Sequence, residues 1–157
     1  MFLSEISRLV YKIKTYLKEQ SVSVEFYGLA TMPTAIVIRA NEKVDGIEFF
    51  SPESYSQQLG LMTRPEGYVV PAHVHNLVER TIRHTQEVLL IRKGSCEITL
   101  YDENSIQTAA ITLESGDVIL LAHGGHEIVM KSECEILEVK QGPYAGPNDK
   151  THLEIHK

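Results

Sequence analysis

The chain has 157 residues and a mass of 17.7 kDa, the size of one ordinary globular domain. Its 15 Lys and Arg against 21 Asp and Glu give a formal net charge of −6, so nucleic-acid or anionic-membrane binding is not expected. Cys96 and Cys134 show neither a zinc nor a disulfide-scaffold spacing, and we predict two buried free thiols in a reducing compartment. No apolar run has the length of a signal peptide or membrane span, which predicts a cytoplasmic protein.

The first twenty residues are predicted to form an amphipathic α-helix. Glu5 near its start and three lysines near its end suit the helix dipole. We expect this helix to pack on its own domain, and a dimerisation or membrane-surface helix is the alternative. Its apolar residues recur at steps of three and four along one face: Leu3, Ile6, Val10, Ile13 and Leu17.

From residue 21 onward the period of the apolar residues becomes two, which is typical of β-strands. Many short, evenly spaced strands predict an all-β sandwich or barrel over residues 21–141, followed by a tail over residues 142–157. No linker or repeat divides the chain, so residues 1–157 form one predicted domain. The predicted strands cover residues 22–26, 34–39, 47–50, 59–63, 68–75, 87–93, 96–101, 106–113, 118–122, 127–130 and 134–140.

Histidines are the unusual feature of the composition. The chain has seven, and five of them lie between residues 73 and 126. His73 and His75 are one residue apart in the predicted strand 68–75, so both would project from the same face. Two such imidazoles can converge on one metal ion, and two solvated surface histidines are the alternative.

Glu87 and His126 each precede an apolar strand. Glu87 opens the run 88–91, where burying a carboxylate is unfavourable unless it is paired or metal-bound, so we expect it to have a partner. His126 follows Gly124 and Gly125, and a glycine pair beside a histidine indicates close backbone approach at a ligand site. Three imidazoles and one carboxylate suit Fe, Mn, Ni, Co or Zn, with positions left open for water or substrate.

These residues and three glycines resemble the two sequence motifs of the cupin superfamily over residues 59–140. The matching pattern is Gly67-x5-His73-x-His75, Glu87-x6-Gly94, and Gly116 followed ten residues on by His126. The resemblance implies a double-stranded β-helix, or jelly-roll, barrel with one divalent transition metal, and it also implies a homodimer. The metal ligands that it implies are His73, His75, Glu87 and His126.

The chain departs from the family pattern in two places. Eleven residues, 76–86, precede the glutamate where the family has a few, and we interpret them as a loop at the barrel mouth. In the second motif Ala122 replaces a proline, and the family's histidine comes one position later than His126. His84 and His123 are therefore alternative ligands, and loss of the metal is a further alternative.

Residues in and after this loop are predicted to contact a substrate. Arg80 and Arg83 are basic residues in an acidic chain, and their guanidinium groups match carboxylates or phosphates; solvated surface ion pairs are the alternative. His84 is a candidate general acid or base, with an exposed loop histidine as the alternative. By their position after the last strand, Gln141 is a candidate substrate-binding residue and Tyr144 a candidate proton donor.

Together, these features predict a metal-dependent cupin that binds a small polar, anionic metabolite of carbohydrate type, such as a sugar phosphate, nucleotide sugar or keto acid. Isomerisation or epimerisation is the preferred reaction. An iron-dependent dioxygenase and a non-catalytic small-ligand-binding cupin are the alternatives. The expected partners are a small-molecule substrate and a second copy of the chain.

Overall fold

The computed structural model describes residues 23–155, so the helix predicted over residues 1–20 lies outside the described residues. Apart from one short 3-10 helix, Gly146–Asp149, the regular structure in this range is all β, which confirms the predicted class. No helix in this range is long and apolar enough to cross a membrane. The strands are β1 (Val24–Leu29), β2 (Met32–Ile38), β3 (Gly46–Phe49), β4 (Gly60–Thr63), β5 (Glu87–Lys93), β6 (Ser95–Tyr101), β7 (Gln107–Glu114), β8 (Val118–Leu121), β9 (Gly125–Met130) and β10 (Glu135–Lys140).

The strands form two larger antiparallel sheets and one hairpin. The five-stranded sheet has the order β1-β2-β8-β5-β10, and the three-stranded sheet has the order β7-β6-β9. The strands β3 and β4 pair with each other as a separate two-stranded sheet. The chain crosses from the five-stranded to the three-stranded sheet at Gly94, which joins β5 to β6.

The main hydrophobic core lies between the two larger sheets. Side chains at alternate positions of β2, β5 and β8 meet those of β6 and β7, as the two-residue period of the sequence predicts. A smaller cluster around Leu59 and Leu120 covers the opposite face of the five-stranded sheet. The main core consists of Ala35, Val37, Leu89, Ile91, Cys96, Ile98, Leu100, Ile111, Leu113, Ile119 and Leu121.

The same alternation determines where Glu87 and His126 point. Leu89 in β5 is a core residue, so Glu87, two residues earlier, lies on the core-facing side of the five-stranded sheet. Ile128 in β9 packs against the core, so His126 lies on the core-facing side of the three-stranded sheet. One polar side chain from each sheet therefore faces the core, and the contact between the two places both at the same end of it.

Both cysteines are free thiols, as predicted. Cys96 is fully buried in the main core, and its burial raises the pKa of the thiol to about 11. Cys134 is half-buried rather than buried and packs against the same core. The thiol of Cys96 is therefore protonated at neutral pH and acts as a small apolar core side chain.

The strand predicted over residues 68–75 is wrong, because residues 64–86 contain no strand. The two-residue alternation is present there, but a strand also needs a hydrogen-bonded neighbour, and no described strand pairs with this segment. Pro71 in addition lacks a backbone N–H that a sheet could use. His73 and His75 consequently lie on an irregular, exposed segment.

We expect Gly94→Ala to destabilise the fold. Gly94 has a φ of +77°, and an added Cβ would collide with the backbone carbonyl of Glu133. Gly67 provides a matched control, because its φ is +80° and no atom lies within 4 Å of an added Cβ. Chemical denaturation should show Gly94→Ala losing about 2 kcal/mol more than Gly67→Ala, since only Gly94 adds a clash to the backbone strain. Equal losses would contradict this close packing.

Candidate functional site

The centre of the candidate site is a contact between Glu87 and His126. The His126 Nε2 atom lies 3.2 Å from the Glu87 Oε2 atom. The Glu87 side chain is 19% exposed and that of His126 is 31% exposed, so the contact is partly shielded from water. This confirms the expectation that Glu87 has a partner, which its place in an apolar strand required.

The surroundings of Glu87 favour the carboxylate form. The hydrogen bond from His126 lowers the pKa of Glu87, and this effect outweighs the burial that would raise it. The positive charges of Lys140 and Lys150 lower the pKa further. Glu87 is therefore an anion at neutral pH, the form in which a carboxylate binds a metal ion or accepts a proton.

Lys140 is a site residue that the sequence analysis missed. It is the cross-strand neighbour of Glu87, and its Nζ atom lies 3.9 Å from Glu87 Oε1 and 3.3 Å from Asp149 Oδ2. The hydrogen bond to Asp149 raises the pKa of Lys140, against the effect of burial. The two-residue period of β10 places Lys140 on the same, core-facing side as Ile136, but it does not reveal that Glu87 is its neighbour.

Tyr144 lies beside this lysine. The Lys140 Nζ atom is 6.0 Å from the centre of the Tyr144 ring, which is within cation–π range. Tyr144 is 71% exposed, so its hydroxyl is accessible from solvent. The segment between β10 and the 3-10 helix thus places Tyr144 beside Lys140, and Lys140 in turn lies beside Glu87.

His73 and His75 lie together but not with Glu87 and His126. Their ring centres are 5.3 Å apart in an edge-to-face arrangement, and His73 Nδ1 lies 2.8 Å from the Pro71 carbonyl oxygen. Within residues 23–155, no group of three or more His, Cys, Asp or Glu side chains is close enough together to hold a metal ion. The four predicted ligands are thus placed as two separate pairs.

The alternative ligands form a third pair. The ring centres of His84 and His123 are 6.5 Å apart, and His123 Nε2 lies 3.4 Å from the Met32 carbonyl oxygen. His84 is exposed and His123 is half-buried. His84 is therefore accessible to solvent. It lies near His123, which is in the connection between β8 and β9.

The three residues predicted to bind the substrate differ in whether their side chains already have partners within the chain. Arg80 and Arg83 are exposed, and neither forms an ion pair within the part of the chain that the structure describes. In Gln141, by contrast, the side-chain oxygen accepts the backbone N–H of Gln86 and the nitrogen donates to Ser56 Oγ. The two arginines are thus free to meet an anion, whereas a ligand of Gln141 would have to displace structural hydrogen bonds.

No protein-family model matches the chain, and no curated protein or solved structure matches it significantly. Fold class alone does not determine chemistry, because one architecture supports many reactions. The function therefore has to be derived from the side chains of the site.

The donor atoms of the site suit a divalent transition metal. Imidazole nitrogens and a carboxylate oxygen bind Fe, Mn, Ni, Co and Zn, whereas Mg and Ca prefer oxygen donors alone. Glu87 and His126 already converge, and they offer one donor of each kind. A complete set of four requires His73 and His75 to move as a pair to this end of the core.

The stability of the protein is expected to depend on pH through Glu87. Because the folded-state pKa of Glu87 is lowered, its stabilisation is full above its unfolded pKa, near 4.3, and is lost as the pH falls through the folded value. Glu87→Gln should be less stable than the native chain by about 1–2 kcal/mol at pH 7, since it loses a charged hydrogen-bond acceptor. Chemical denaturation between pH 3 and 7 should show this difference shrinking toward acid. A difference that is independent of pH would contradict the assignment.

Proposed function

We propose that this chain is a metal-dependent enzyme of the cupin type that isomerises or epimerises a small anionic carbohydrate. One observation carries the proposal: Glu87 and His126, taken from two separate motifs of the sequence, contact each other from facing sheets. The two antiparallel sheets around one core support a jelly-roll barrel, whose end would hold this pair. The proposed ligands are these two residues together with His73 and His75.

When bound, the metal supplies a Lewis acid that polarises a carbonyl oxygen of the substrate. The side chains around it divide the remaining work. Lys140, beside Glu87, offers a positive charge to an anionic group or to a developing oxyanion. His84 and Tyr144 are exposed groups that can exchange protons with the substrate, while Arg80 and Arg83 hold its phosphate or carboxylate.

The charge distribution supports an anionic rather than a neutral substrate. The chain carries a net charge of −6, yet the exposed loop before β5 brings Arg80 and Arg83 without a described acidic partner. Charges left unpaired on an acidic protein attract small anions to that place rather than to the whole surface. A sugar phosphate, a nucleotide sugar or a keto acid fits this requirement.

Hydrogen–deuterium exchange at carbon tests the proposed reaction. An isomerase removes and returns a proton next to a carbonyl, so incubation in D2O should place deuterium at that carbon of the correct substrate, as NMR detects. The native chain loaded with each metal is incubated with sugar phosphates, nucleotide sugars and keto acids. Exchange should persist in His152→Ala, an exposed tail histidine, and disappear in Glu87→Gln. Oxygen consumption without exchange would instead indicate a dioxygenase, and ligand binding with neither would indicate a binding protein.

A further inference from the structure

Residues 142–155, here called the strap, connect edge strands of the two larger sheets. β10 is an edge strand of the five-stranded sheet, and β9 is an edge strand of the three-stranded sheet. In the strap, Asp149 Oδ2 lies 3.3 Å from Lys140 Nζ in β10. Farther along, the Leu153 side chain fills the space that a Cβ would need at Gly125, the first residue of β9. These two contacts, here called the anchors, hold the strap between one sheet and the other.

The strap passes over the end of the core where the candidate site lies. At the first anchor, Lys140 Nζ is 3.9 Å from Glu87 Oε1. At the second, Gly125 directly precedes His126 in β9. Between the anchors, the positive charge of Lys150 is near enough to lower the pKa of Glu87. Each member of the Glu87–His126 contact therefore has one anchor of the strap beside it.

The strap is held by few contacts. Within residues 23–155, the hydrogen bond that Lys140 donates to Asp149 is the only one between the strap and a strand. The 3-10 helix of the strap contains no buried residue, and Leu153 is 41% exposed. A partly exposed ion pair and one apolar contact contribute little stability, and segments held in this way open without unfolding the rest of the protein. The strap can therefore leave the site while both sheets stay folded.

Opening changes the charge around Lys140. In the closed strap three carboxylates lie within 4 Å of Lys140 Nζ, those of Glu87, Glu138 and Asp149. Only Asp149 belongs to the strap, so opening removes one of the three negative charges. An anion near Lys140 is repelled less in the open state than in the closed state, and a ligand shifts an equilibrium by such a difference in affinity. An anionic ligand thus favours the open strap.

We propose that the strap closes the Glu87–His126 site in the free chain and has to open, as an anionic ligand favours, before a metal ion or substrate reaches these two side chains. What enters the site rests on the proposed function. The closure itself rests on the two anchors and on their positions beside Glu87 and His126. A segment that opens in this way controls access and keeps water from the site when closed.

Chemical modification of His126 tests the closure without metal or substrate. Diethyl pyrocarbonate acylates accessible imidazoles, and peptide mass spectrometry of the full-length chain gives the rate at His126, with the exposed His73 as internal reference. Leu153→Ala removes one anchor and changes no charge, so the rate at His126 should rise about fivefold as the open state becomes more populated. Ile155→Ala is the matched control, since Ile155 is 40% exposed against 41% for Leu153, and should react like the native chain. Equal rates in all three proteins would overturn the proposal.

Gly125→Ala disturbs the same anchor from the side of β9. Its methyl group would collide with Leu153 and lie 3.3 Å from Tyr101 Cβ, and Gly125 has no positive φ that would strain alanine. The rate at His126 should rise by a similar factor in the native chain but no further in Leu153→Ala, because two changes that break one contact are not additive. Additive effects would contradict the assignment of this anchor.

The charged anchor and its response to anions are tested together. Asp149→Asn should also raise the rate at His126, whereas Glu154→Gln, which removes an exposed carboxylate from the strap, should not. In the native chain, inorganic phosphate should move the Leu153 methyl signals in NMR spectra toward their positions in Asp149→Asn, because both changes favour the open strap. Equal effects of the two substitutions, or methyl signals that ignore phosphate, would overturn the role given to Asp149.

The association rate of Co2+ separates the closure from the proposed function. Stopped-flow absorbance should show Co2+ binding about fivefold faster to metal-free Leu153→Ala than to the metal-free native chain, matching the rise in modification rate. Association at one rate in both proteins would overturn the closure and leave the metal site standing. A chain that binds no Co2+, but whose His126 becomes more reactive in Leu153→Ala, would refute the proposed function and leave the closure standing.

Discussion

Asp117→Ala is expected to lower the free energy of unfolding by about 3–5 kcal/mol, because it removes a buried carboxylate that accepts two backbone N–H groups and pairs with Arg39. The Asp117 side chain is 7% exposed, and its Oδ2 atom lies 2.8 Å from the guanidinium of Arg39. The same carboxylate accepts the backbone N–H groups of Ala40 at 2.9 Å and Glu114 at 3.0 Å. These contacts tie the end of β2 to the turn between β7 and β8. Alanine would leave the backbone N–H groups of Ala40 and Glu114 without this acceptor, whereas Arg39 would keep Glu25 and the Thr112 carbonyl.

Urea denaturation measures this loss, with Glu133→Ala as the matched control. Glu133 also forms an ion pair, at 2.9 Å with Lys93, but its side chain is 87% exposed. Exposed pairs of this kind contribute little, so the control should stay within about 0.5 kcal/mol of the native chain. An Asp117→Ala variant as stable as Glu133→Ala would show that the buried network does not hold the turn.

Much of the fold could be predicted from local pattern. Strands such as β6 and β7 alternate apolar and polar residues because one face of each meets the core, and that alternation is visible in the sequence. The partner of Glu87 was predictable in kind, since burial of a lone carboxylate is too unfavourable. Only the resemblance to the cupin motifs, which groups Glu87 and His126 as metal ligands, indicated that His126 lies near Glu87.

Two features could not be predicted in this way, for different physical reasons. Residues 68–75 have the pattern of a strand, but a strand also depends on a neighbour, and local sequence does not reveal whether an edge is available. Lys140 lies within 4 Å of Glu87 because β5 and β10 pair in one particular register, which local sequence does not specify. Both errors arise from contacts between segments distant in the chain.

His126→Ala is expected to abolish metal binding. It removes a proposed ligand, and it also removes the hydrogen bond that holds Glu87 as an oriented anion, so two of the four ligands are affected by one change. His75→Ala should have a similar effect, because it also removes one of the four proposed ligands, and a metal site that lacks a ligand loses most of its affinity. His152→Ala is the matched control, since it removes an exposed imidazole that is not one of the proposed ligands.

The central claim is that Glu87 and His126, joined by His73 and His75, form a transition-metal site. Its most direct test is elemental analysis of the full-length chain, purified without a histidine tag and saturated with each divalent metal in turn. We expect one metal ion per chain in the native protein and in His152→Ala, and at least tenfold less in His75→Ala and His126→Ala. Equal metal content in all four proteins, or none in any, would contradict the account.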